Sequence, residues 1–165
     1  MQPLACTEID LAGHPRYRCP MTDPATIVTQ IDAIQERYGE DWHRNAEALA
    51  EASAAWGGGC NGYGVFVNGE REIIAKLSNS CRAEIVIAES GNGLFSIGTY
   101  YEFGMGGGSV APSVWREPFA SRAEARRAAI KELAACIEGH GQMTKLQRLL
   151  LAAVRKQDQQ RTLFD

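Results

Sequence analysis

The chain has 165 residues, 45% of them hydrophobic and 22% charged, with 17 Lys+Arg against 20 Asp+Glu. That composition describes an ordinary folded domain with one sizeable core. It excludes a disordered chain, a collagen-like repeat and a strongly basic nucleic-acid binder. No apolar run reaches the length of about 18 residues that spans a membrane, and Met1 to Cys6 lack the basic cluster and apolar stretch of a secretory signal.

The region before residue 24 carries Pro3, Pro15 and Pro20 without periodicity and reads as an irregular arm over 1–23. Asp23-Pro24 supplies an N-cap and a first-turn proline for a helix that buries Ile27, Val28, Ile31, Ile34 and Tyr38 and stops at Gly39. A second, alanine-rich helix is expected from about Asp41 to Trp56, ended by Gly57-Gly58-Gly59. The period then changes to two. Tyr63, Val65 and Val67 alternate, Asn68-Gly69 signals a tight turn, and Ile73, Ala75 and Leu77 alternate on the return. Further strands are expected at Ala83 to Glu89 and Phe95 to Phe103, separated by Gly91-Asn92-Gly93. Gly104 to Ser109 and the segment to Ala120 read as loop. Ser121-Arg122-Ala123-Glu124 is a capping box for a helix to Glu138, closed by Gly139. The last helix, about Thr144 to Asp158, is expected to bury Leu146, Leu149, Leu150 and Ala153. The fold class is α+β: a four-stranded antiparallel meander with two N-terminal and two C-terminal helices, one domain over 24–158 and a tail over 159–165.

Charge is unevenly spread. Residues 1–115 hold 7 basic and 14 acidic side chains, and residues 116–165 hold 10 and 6. Arg122, Arg126 and Arg127 form a basic stripe on one helix that can face phosphate or an acidic partner. The acidic helices from Asp32 to Glu51 offer the opposite surface, one that mimics nucleic acid. Carboxylates such as Glu70 and Glu72 are expected to face water.

The five cysteines, Cys6, Cys19, Cys60, Cys81 and Cys136, include no closely spaced pair, which points to reduced thiols and a cytoplasmic protein. Cys6, His14 and Cys19, with His43 or Cys60, lack the ligand spacing of structural zinc, so neither a metal nor a cofactor is expected. Neither glycine-rich segment fits a phosphate loop: Gly57 to Gly64 lies between a helix and a strand, and Gly104 to Gly108 follows a strand but stands about a dozen residues before the next helix. The aromatic and glycine-rich region of Tyr101, Phe103, Gly106, Gly107, Gly108 and Trp115 is a candidate partner or ligand loop. Cys60 beside Asn61, with His43, is the one arrangement that suits a thiol nucleophile, which makes a cysteine enzyme an alternative.

The chain ends Gln160-Arg161-Thr162-Leu163-Phe164-Asp165. This resembles the bacterial sliding-clamp-binding motif, Gln-Leu-Ser/Asp-Leu-Phe. Gln160, Leu163 and Phe164 match it, while Arg161 and Thr162 depart from it, which implies weakened affinity. In that motif the Leu-Phe pair fills an apolar pocket and the glutamine amide is hydrogen-bonded beside it. The layout over residues 83–138, including the helix start Phe119-Ala120-Ser121-Arg122-Ala123-Glu124-Ala125, is similar to that of small phage and plasmid accessory proteins. The resemblance implies a non-enzymatic protein that binds host nucleic-acid-processing machinery, or else an anti-defence inhibitor of the anti-CRISPR or anti-restriction kind. Self-association through Leu146, Leu149 and Leu150 of the last helix is a further expectation.

Overall fold

A computed structural model describes residues 7–9, 15–17, 22–139 and 144–161, with side chains described over 22–139 and 144–157. Within the N-terminal arm, β1 (Thr7–Ile9) pairs antiparallel with β2 (Pro15–Tyr17). Helix α1 (Pro24–Tyr38) starts as its sequence requires, with the Asp23 carboxylate accepting from the Ala25 N–H at 3.1 Å. It ends at Gly39, whose φ of 69° suits glycine. A 3-10 turn (Gly39–Arg44) follows, so α2 (Ala46–Ala55) begins later than expected. The cause is Asn45, whose Oδ1 accepts from both Glu47 N and Ala48 N and fixes the N-cap there.

The main sheet is an antiparallel meander of four strands in chain order: β3 (Glu70–Ser78), β4 (Cys81–Glu89), β5 (Phe95–Phe103) and β6 (Gly106–Val110). The α+β class stands, but the strand membership shifts. Tyr63, Val65 and Val67 do not form a sheet strand, because Asn61 Oδ1 accepts from the N–H groups of Tyr63 and Val65 and curls that segment into a tight loop. Asn68 Nδ2 donates to the Glu89 carbonyl at the end of β4 and turns no hairpin. The fourth strand is instead the glycine run, which the sequence assigns to loop.

Helices α3 (Arg122–Glu138) and α4 (Lys145–Arg161) cover one face of the sheet. Cys81, Ala83, Ile85, Ile87, Ile97 and Tyr101 from the strands meet Ala125, Ala129, Ile130, Leu133 and Ile137 of α3. Ser121 Oγ caps α3 by accepting from Glu124 N at 3.2 Å. Helix α4 has a reciprocal cap: Gln147 N donates to Thr144 Oγ1 and Thr144 N to Gln147 Oε1. Its buried residues are Gln147, Leu150, Leu151 and Val154, whereas Leu146 and Leu149 are exposed. The expected face is therefore displaced by about a third of a turn, since the Leu149-Leu150-Leu151 run fits either phase.

A second core joins α1 and α2 to the far end of the sheet through Ile27, Ile31, Ala52, Trp56, Phe66 and Leu94. Trp56 stands edge-on to Phe66 at 5.3 Å and donates its indole N–H to the Val114 carbonyl at 2.9 Å. Close backbone approach locks this unit to the β4–β5 turn. A Cβ added to Gly91 would lie 2.0 Å from the Gly57 carbonyl oxygen, and Gly57 itself has φ of 74°. Gly91→Ala should destabilise the chain by about 2–3 kcal/mol in urea unfolding, because backbone must move to admit the methyl. Gly62→Ala, where nothing lies within 4 Å, should change stability by less than about 0.5 kcal/mol.

Candidate interaction surface

The arginine stripe of α3 lies against the carboxylates of β3. Arg122 Nη2 donates to Glu70 Oε2 at 2.6 Å. Arg126 grips Glu72 through Nε at 3.1 and 2.9 Å and through Nη2 at 2.6 Å. The two spacings match: four helical residues rise about 6 Å and two strand residues about 6.6 Å, so both pairs form in parallel. Arg126 is mostly buried and bidentate, while the Arg122 pair is open to water. Arg127 is exposed on the same helix. The stripe thus fastens helix to sheet, and Glu70 and Glu72 hold cations where the sequence suggests only solvated charge.

The opposite face of the sheet carries a polar ladder. Glu84 on β4 is only 5% exposed and lies 3.2 Å from Arg71 Nη1 and 3.5 Å from Arg82 Nε. Arg82 also lies 3.7 Å from Glu102 and stacks over the Tyr100 ring at 5.2 Å, while Tyr100 OH donates to Glu102 at 3.0 Å. Beside this ladder is a cleft of about 450 Å³ whose walls include Val67, Arg71, Val86, Tyr100 and Val110.

The glycine run is the edge strand β6, held in register with β5 from Thr99↔Val110 to Phe103↔Gly106. Two of its glycines face aromatic rings, and the third, Gly107, faces backbone, where an added Cβ would lie 2.4 Å from the Tyr101 carbonyl oxygen. A Cβ on Gly106 would lie 2.6 Å from the Phe103 ring, and one on Gly108 would lie 2.7 Å from the Tyr101 hydroxyl. Tyr101 and Phe103 stack on each other at 5.8 Å and fold across the edge strand in place of side chains it lacks. Trp115 lies elsewhere. It contacts Trp42 edge-on at 4.2 Å and lines a separate cleft of about 570 Å³ with Ile97, Phe119 and Lys131.

Among the terminal candidates, Gln160 falls in α4 by its backbone, and Leu163 and Phe164 lie outside the described residues. The last described core residue of α4 is Val154, after which Arg155, Lys156 and Gln157 are exposed. Arg155 pairs with Glu138 of α3.

Cys60 Sγ donates to Ser53 Oγ at 3.1 Å, and His43 packs its ring edge against Trp42. Asn61 is committed to its loop. Burial pushes the Cys81 and Cys136 thiols above the ordinary range, assisted by Glu102 near the first and Glu132 near the second, which suppresses thiolate at neutral pH. Cys6, His14, Cys19 and His140 lie outside the described residues. Among the described residues no group of three or more His, Cys, Asp or Glu side chains converges as a metal site, and no helix is long and apolar enough to cross a membrane. No protein-family model, curated protein or solved structure matches the chain.

The helix-to-sheet clamp has a direct test. Arg126→Ala should cost about 1–2 kcal/mol in urea unfolding, and a double-mutant cycle with Glu72→Ala should return a coupling of about 1 kcal/mol. Arg122→Ala, at the exposed pair, should cost less than about 0.5 kcal/mol.

Proposed function

We propose that the chain is an interaction protein, of the kind carried by phages and plasmids, that docks on host nucleic-acid-processing machinery and performs no catalysis itself. The partner its terminal peptide fits is the sliding clamp. The observation that carries this reading is the end of α4. Val154 is the last buried side chain of α4 among the described residues, and Gln160 stands about 9 Å further along the helix axis. A peptide at the end of a helix docks at little cost to the domain, because terminal helical turns open at low free energy. Leu163 and Phe164 supply the apolar anchor and Gln160 the polar one. So small a contact gives an affinity in the micromolar range.

A second reading, inhibition of a defence nuclease, draws on α1 and α2. Asp32, Glu36 and Glu47 are exposed there, and Glu40 and Asp41 in the 3-10 turn between them, while the cations among them are Arg37, bound to Glu51 at 2.8 Å, and the exposed Arg44.

Titration calorimetry of the full chain against a bacterial sliding clamp distinguishes the two. Docking through the tail predicts micromolar binding that falls by about tenfold or more when Leu163 and Phe164 are both replaced by alanine. Binding unaffected by that change, or no binding at all, would remove the tail from the function and leave the acidic helices as the surface to pursue.

A further inference from the structure

We propose that the free edge of β6 is a docking site for an extended segment of a partner protein, one whose side chains alternate between apolar and basic. This surface is independent of the terminal peptide.

The two edges of the sheet are built differently. Strand β3 carries irregularities between Ile73 and Ala75 and between Lys76 and Ser78, together with the charges Glu70, Arg71 and Lys76. Bulges and charges of this kind obstruct the addition of another strand. Strand β6 has neither: it is a regular run, Gly106-Gly107-Gly108-Ser109-Val110, without a charged residue. Phe103 and Gly106 close a two-residue turn, so Gly106, Gly108 and Val110 bond inward to β5, while the N–H and C=O groups of Gly107 and Ser109 point away from it. Among the described residues, no strand lies beyond β6.

The chemistry of the occupant follows from what flanks that edge. On the helix side, the Phe103 ring lies over Gly106 and is partly exposed, while Tyr101 is buried over Gly108. On the other side Gly107 stands opposite Glu102. Two strand spacings amount to about 9.6 Å, which a lysine or arginine on an added strand spans across the bare Gly107 to reach a glutamate. Glu102 is partly exposed, and its known partners are Tyr100 OH at 3.0 Å and Arg82 at 3.7 Å, which leaves lone pairs for another cation. An alternating segment therefore sets apolar residues beside the Phe103 edge and basic ones toward Glu102, while its main chain bonds to Gly107 and Ser109. A second copy of β6 is the wrong occupant, since its own glycines would bring nothing to either side.

The test uses the full chain, labelled with nitrogen-15, and capped peptides of alternating valine and lysine or alternating valine and glutamate. The valine-lysine peptide should shift the amide signals of residues 106–110 and bind more tightly than the glutamate version. Ser109→Pro removes an outward donor without breaking the β5 ladder, and should weaken binding by about fivefold or more. Glu102→Gln should narrow the difference between the two peptides, with its spectrum confirming the fold. Absence of binding by either peptide would overturn the proposal. So would equal binding of both, or binding that Ser109→Pro leaves unchanged.

Discussion

Cys81, Ala83, Ile85 and Ile87 point from β4 into the core beneath α3 and α4, while on the other face Glu84 is almost fully enclosed and Ala88 enters the second core. A strand buried on both sides requires a hydrogen-bonded neighbour along each edge, which β3 and β5 provide. It also places a carboxylate where water is scarce, and such a charge persists only with cations held against it. Arg71 on β3 and Arg82 on β4 meet that need. The ladder running on to Tyr100 and Glu102 is thus tied to the single charged residue at the centre of β4.

The same strand explains how the two helical units share one sheet. Beyond Glu89 the chain turns through Ser90 to Gly93, and Ser90 Oγ donates to the Leu94 carbonyl within that turn. Asn92 Nδ2 donates to the Ala55 carbonyl, and Gly91 makes room for the Gly57 carbonyl, so α2 sits on the turn with no gap. Helices α3 and α4 take the first face of the sheet, and α1 and α2 take its end. The outer edge of β6 remains as backbone that no described strand pairs.

The sequence is legible where structure is local. Asp23-Pro24, Ser121 and Gly39 mark helix ends through contacts within four residues, and the alternation in β4 and β5 places both strands at their observed positions. It misleads where the deciding contact is distant. The glycines of β6 resemble a loop because they show no alternation, yet their reason lies across the ladder, in the Phe103 and Tyr101 rings at Gly106 and Gly108 and in the Tyr101 carbonyl at Gly107. Tyr63 to Val67 alternate like a strand, but the Asn61 side chain takes the N–H groups a ladder would need. The arginines of α3 stand out in the sequence, whereas their partners Glu70 and Glu72 are 52 and 54 residues away and carry no local mark. Thr144 and Gln147 form a capping box that could have been read at the same spacing as Ser121 and Glu124.

Native-state hydrogen exchange on the full chain is the most direct measurement of this arrangement, a doubly enclosed β4 beside an open β6. The Ile85 and Ile87 amides should exchange only through global unfolding, while Gly107 and Ser109 should exchange nearly as fast as in an unstructured peptide. Protection of Gly107 and Ser109 to the level of Ile85 would instead mean that the β6 edge is already covered and not open.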